Sequence, residues 1–229
     1  MGWAEYIVVW VAFLVTHYLP SIGGAGASLR NRLITRFGRG RYFAAYGIIS
    51  TLLLIWMIGA AARAPQVLIW DHQLWHRWAP NLAMPLAIWL AVVGAGMPYA
   101  YSLGGRRGAV FDPAAPGAAA ITRHPFFWAL ALWSLAHLLA NGSLAHVMLF
   151  GGFAFMAIMA VPLFDLRAKR ALSAADWQAV RRTAPLVPRL ALSKLAPGFL
   201  ARRSLVALVI YLVIIGSHSA VIGRSPMPL

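Results

Sequence analysis

The chain has 229 residues, 61% of them hydrophobic and only 11% charged, with 20 Lys and Arg against 5 Asp and Glu and no cysteine. Together with a mean hydropathy of +0.72, this composition excludes a sizeable water-soluble domain and points to a polytopic membrane protein. Disulfides and every thiolate-metal site are excluded, and the net charge of +15 does not indicate nucleic acid, because the cations fall in short loops between apolar runs.

Six apolar runs are long enough to cross a hydrocarbon core of about 30 Å, which takes roughly 20 helical residues. In chain order they cover 3–20, 43–62, 82–103, 125–141, 144–163 and 204–222. The expectation is an all-α bundle of six transmembrane helices in one membrane domain. Glu5 and the lack of a basic residue before the first run set it apart from a cleaved signal peptide, so this span is expected to be retained. Pro85 and Pro98 predict a kinked third helix, and Gly94-Ala95-Gly96 and Gly151-Gly152 predict close helix contacts. Only Asn141-Gly142-Ser143 separates the fourth and fifth spans, which predicts an antiparallel hairpin.

The last loop, Asp165 to Arg203, is too long for a turn. Ser173-Ala174-Ala175-Asp176 reads as a capping box opening a short helix, with Trp177 and Val180 on one side and Arg181 and Arg182 at its end. That helix is expected in the headgroup plane with its apolar face toward lipid. Residues 185–199 read equally as a solvated basic linker. Counted by loop, 17 of the 20 basic residues lie on one side if the N-terminus is outside; only Arg63, Arg77 and Arg224 fall on the other. The positive-inside bias then puts both termini outside, the periplasm for a bacterial inner membrane, with the arginine loops against anionic lipid.

This topology puts two histidines at one depth. His17 ends the first span, and His124 begins the fourth within Ile121-Thr122-Arg123-His124-Pro125. Titratable groups at that depth mark functional sites. His137, 13 residues beyond His124 and so about 20 Å up a helix axis, falls with His146 and His218 toward the other leaflet. His72 and His76 have the four-residue spacing of a helical metal pair. Three neighbouring tryptophans, Trp70, Trp75 and Trp78, favour an interfacial belt there instead.

A bis-imidazole haem would require two ring nitrogens about 4 Å apart, twice a metal–imidazole bond length, with apolar walls and cations for its propionates. Phe13, Phe126, Phe127 and Trp128 could supply the walls, and Arg123, Arg106, Arg107, Arg30 or Arg32 the cations. The alternative is structural: His17 bonds a neighbouring carbonyl while Arg123 and His124 anchor a helix start. Trp128 and His137 also have bland readings, as packing and as a hydrogen bond across the hairpin.

Thr16-His17-Tyr18-Leu19-Pro20-Ser21, Arg41-Tyr42 to Ser50, and Ile121-Thr122-Arg123-His124-Pro125 through Trp133, Ala136-His137 and Ala140-Asn141-Gly142 resemble the NnrU family. That family is named for its place beside denitrification genes and is related to the zeta-carotene isomerases. The resemblance implies a haem b held by two histidines, which map onto His17 and His124. It also implies redox-gated cis–trans isomerisation of a polyene: a ferrous iron releases one imidazole and engages the double bond. Alternatively, the same open position would bind nitric oxide. Arg-His-Pro at a helix start also resembles the isoprenylcysteine and phospholipid methyltransferases. Those enzymes carry a pair of acids after the hairpin, whereas this chain has the single Asp165 in Leu163-Phe164-Asp165-Leu166.

Overall fold

A computed structural model describes residues 2–22 and 24–227. The described residues form eight α-helices: α1 (Gly2–Ile22), α2 (Gly24–Phe37), α3 (Arg39–Arg63), α4 (Trp78–Gly94), α5 (Pro125–Ala140), α6 (Leu144–Ala171), α7 (Ala174–Thr183) and α8 (Pro197–Ile222). Short 3₁₀ turns and one isolated β-bridge, between Leu68 and Ser143, complete the structure. Three helices, α3, α6 and α8, are long and apolar enough to cross a membrane, and α5 is a shorter apolar helix. The all-helical membrane class therefore stands, while the number of spans remains an expectation.

The chain divides into two compact units, residues 1–70 with 143–149, and residues 71–142 with 150–229. In the first, α1 packs on α3. Tyr6, Val9 and Phe13 recur at helical spacing on one face of α1 and are buried, as are Met57, Ala60 and Ala61 of α3. The Tyr6 hydroxyl donates to the Ala145 carbonyl at 2.7 Å, which ties α1 to the first turn of α6. Glu5, the lone acid in the first 70 residues, accepts from Arg63 Nη2 at 2.6 Å and Trp56 Nε1 at 2.9 Å. Residues 24–37, between the first two apolar runs, form α2. Gly26 is buried, Leu29 and Phe37 are exposed, and no acid breaks its run of arginines.

In the second unit α4 packs against both α5 and α8. The expected third span of 82–103 is shorter than read, because the helix stops at Gly94 and the chain turns through Gly96 and Gly104, at φ 74° and 73°. Glycine alone tolerates that left-handed region cheaply. Pro85 lies inside α4 as expected, whereas Pro98 belongs to the turn and kinks nothing. Arg203 of α8 donates to the Val92 and Ala95 carbonyls, both at 2.9 Å, and so satisfies the open C-terminal end of α4. The Trp89 indole donates to Ser204 at 3.0 Å along the same contact.

The short helix α7 begins as its sequence requires. Ser173 Oγ accepts from the Asp176 amide at 3.1 Å and donates to its carboxylate at 2.7 Å. Its apolar face, however, does not meet lipid. Trp177 and Val180 are buried in the protein core with Leu90, Val93, Tyr99 and Ile121, because the bundle offers an apolar surface that is closer than any bilayer.

Gly94 is where α4 admits the start of α5. A Cβ there would lie 2.2 Å from Pro125 Cγ and 2.6 Å from its Cβ, and a proline ring cannot turn aside. Gly151, read from sequence as a helix-contact glycine, has nothing within 4 Å. Gly94→Ala should therefore lower stability by about 1–3 kcal/mol, while Gly151→Ala should leave it unchanged or raise it by up to about 1 kcal/mol. Thermal unfolding of the two variants in detergent checks the contrast; equal melting temperatures would contradict it.

Candidate functional site

The segment Ile121-Thr122-Arg123-His124 lies between a 3₁₀ turn and α5. All four residues are buried, His124 with no exposed surface at all. Pro125 opens α5 at its first position, where its missing N–H costs nothing, and the His124 carbonyl accepts the first helical bond from Trp128 at 3.3 Å. The sequence therefore ends a loop and starts a helix at one buried point.

Charge at that point is met by charge. Arg123 forks onto Asp165 near the end of α6, Nε to Oδ1 at 2.7 Å and Nη2 to Oδ2, and Nη1 donates to the Ala184 carbonyl at 2.7 Å. The guanidinium also lies 5.6 Å over the Trp177 ring. Asp165 Oδ1 accepts again, from His124 Nε2 at 2.9 Å. A carboxylate paired with Arg only accepts, so the proton of this bond belongs to Nε2; in the neutral ring Nδ1 then accepts from the Ser102 hydroxyl at 3.3 Å. Tyr99, Phe127 and Phe164 surround the imidazole, with ring centroids 6.0–6.4 Å away. The Tyr99 hydroxyl is buried and has no hydrogen-bond partner.

The far side of the segment is covered by 184–189. Arg123 N donates to the Pro185 carbonyl at 3.0 Å and Arg189 N to the Ile121 carbonyl at 2.9 Å. The Thr122 hydroxyl and the Trp128 indole both donate to the Leu186 carbonyl at 2.8 Å. The first part of 185–199 is thus a strap hydrogen-bonded onto the Arg-His-Pro segment, not a solvated linker. Backbone groups buried beside α5 must find partners, and the strap supplies them.

The structure brings Arg123, His124 and Trp128 together but gives the indole a structural bond to the strap. Arg106 is exposed in the loop after α4, and its described bond is backbone N to the Met97 carbonyl. In the first unit Arg30 is half-buried on α2. His17 is half-buried at the end of α1; its Nδ1–H donates to the Phe13 carbonyl at 2.8 Å, its ring stacks on Phe13 at 3.8 Å, and Tyr46 lies 5.3 Å away. Its Nε2 makes no hydrogen bond among the described residues. His137 repeats this pattern, with Nδ1–H to the Trp133 carbonyl at 2.8 Å. Between α3 and α4 His72 Nε2 accepts from Arg77 at 3.0 Å and His76 Nδ1 from the Gln73 amide at 3.2 Å, so neither ring is poised for a shared metal. Among the described residues no three His, Asp or Glu side chains gather to hold a metal ion.

Tested as haem ligands, the two candidate imidazoles differ. A ligating histidine commonly donates one N–H to a carbonyl or carboxylate and turns the other nitrogen to the metal. His17 meets that requirement. His124 meets only the first half: Nε2–H is bound to the Asp165 carboxylate, but Nδ1 faces the Ser102 hydroxyl and the ring is sealed.

Asp165 is the residue that sequence reasoning undervalued, having considered it only as a depleted acid pair. It is the lone carboxylate between Asp112 and Asp176, and its apolar setting required a cation.

The sequence profile of the family described as NnrU protein matches residues 5–226, nearly the whole chain. The chain belongs to the NnrU family. No curated protein and no solved structure matches it.

The strap bonds can be removed singly. Thr122→Val and Trp128→Phe should each cost about 1 kcal/mol, since the Leu186 carbonyl keeps its other donor in each. Arg106→Gln, on an exposed side chain, should stay within about 0.5 kcal/mol of the parent. Chemical denaturation of the three variants distinguishes them, and an Arg106 effect as large as that of Thr122 would contradict the assignment.

Proposed function

We propose that this member of the NnrU family is a haem b-binding protein of the bacterial cytoplasmic membrane, with both termini outside and His17 as an iron ligand. The observation that carries the proposal is the His17 imidazole: its Nδ1–H is bound to the Phe13 carbonyl, its face is stacked on Phe13, and its Nε2 is uncommitted. Helix α2 with Arg30, and the loop with Arg106, would lie on the cytoplasmic side against anionic lipid.

The family's relation to zeta-carotene isomerases supports a lipophilic polyene as substrate and cis–trans isomerisation as the reaction. The chemistry a bound haem would supply is an open ferrous coordination position. A site within apolar helices suits such a substrate, and rotation about even the partial double bond of a peptide meets a barrier of about 18–20 kcal/mol, so weakening the bond is what a catalyst must provide. A second reading, nitric oxide binding without isomerase activity, is favoured by the commitment of His124 to Asp165. His17 alone would then hold the group, and the chemistry supplied would be a position open to a diatomic ligand. Methyl transfer is not supported: both Asp165 oxygens are engaged by Arg123 and His124, leaving no acid for a cofactor amine.

Membranes from cells expressing the chain should show a Soret band that His17→Ala abolishes or shifts. Expression in cells that accumulate a poly-cis carotene should give the isomerised product if the polyene reading holds. A Soret spectrum with nitric oxide-induced shifts but no product would favour the second reading. No Soret band in membranes or in haem-reconstituted protein would reject both.

A further inference from the structure

His124 stands within the motif that the family resemblance links to iron, yet its surroundings are those of a different role. We infer that His124 is the central strut of a buried Arg123–Asp165–His124 cluster that fastens the 184–189 strap over the start of α5, and that it does not ligate iron. Three observations carry this. Its Nε2 is 2.9 Å from Asp165 Oδ1, the same oxygen that accepts from Arg123 Nε at 2.7 Å. Arg123 in turn holds the strap at two points, through Nη1 to the Ala184 carbonyl and through its amide to the Pro185 carbonyl. The ring itself has no exposed surface, so a planar macrocycle has no face by which to approach either nitrogen.

The chemistry of the donor set points the same way. Asp165 accepts from Arg123 on both oxygens and from His124 on Oδ1, and its side chain is 16% exposed against 6% for Arg123 and none for His124. Turning Nδ1 to a metal would take the Ser102 hydroxyl off the ring at a point with no exposed surface, and turning Nε2 would take a donor from Asp165. Buried polar groups hold such partners because leaving one unpaired is more costly than the bond is worth. His17 and His137 need no such rearrangement, since each uses Nδ1–H on a carbonyl of its own helix.

The iron half of this inference rests on the haem reading above; the strap half does not. The test compares full-length protein with its His124→Gln and Asp165→Asn variants in lipid nanodiscs, by hydrogen–deuterium exchange of 184–189 and, on haem-reconstituted samples, by electron paramagnetic resonance and Soret spectra with and without added imidazole. Both variants should exchange the strap amides at least tenfold faster than the parent, while the axial-ligand signature of the haem stays that of the parent. If His124→Gln does not fold, Asp165→Asn alone reads the strap, and its haem signature reads the ligand. A ligand signature lost in His124→Gln and restored by imidazole, or changed in Asp165→Asn, would overturn the inference, as would unchanged strap exchange in both. Failure of the parent to take up haem would reject the haem reading and leave the exchange result to decide the role of the cluster.

Discussion

A charge placed where water is scarce must meet an opposite charge and fill its remaining hydrogen bonds, and the second unit is organised around one such point. Arg123 and Asp165 are separated by 42 positions and belong to the entry of α5 and the exit of α6. Their pairing joins the start of α5 to the last turns of α6. An ion pair of this kind is weak evidence of net stability against an apolar replacement, but removing one partner is costly because the other charge remains buried. That asymmetry explains why the surrounding groups are so completely used. Ala184 and Pro185 take the remaining Arg123 donors, Thr122 and Trp128 share the Leu186 carbonyl, and Ser102 meets the second nitrogen of His124.

The first unit has an exposed counterpart, where Glu5 accepts from Trp56 and Arg63. Each unit thus contains a lone acid in a long acid-free stretch, and each acid closes a helix pair. The chain has 20 Lys and Arg against 5 Asp and Glu, so acids cannot pair most of its cations, and Arg203 uses the Val92 and Ala95 carbonyls instead.

Much of the fold was legible because hydropathy alone locates apolar helices. The hairpin of α5 and α6 follows from Asn141-Gly142-Ser143, and the start of α7 from Ser173 and Asp176. The errors came from tertiary context. Apolar content through residue 103 extended the third span, but Gly96 and Gly104 sit at positive φ and turn the chain. The apolar face of α7 was assigned to lipid because periodicity reports that a face is buried and not against what. At the candidate site, Arg123 and His124 stood out by residue type and depth, but their partner did not, because pairing across 42 residues leaves no local pattern. Asp165 could have been found by charge balance: a lone carboxylate in an apolar run needs a cation. His17 was legible as an imidazole with its neighbouring carbonyl as partner, and that same bond leaves it suited to a metal.

The account depends on Arg123 and Asp165 acting as a coupled unit, which a double-mutant cycle measures directly. Arg123→Met, Asp165→Leu and the double variant would be compared by reversible unfolding. Each single variant should lose about 3–5 kcal/mol. The double variant should lose less than the sum of the two single losses, by a coupling of about 1–3 kcal/mol. Losses that simply add would show that the two residues do not depend on each other, and would contradict the central role given to their pairing.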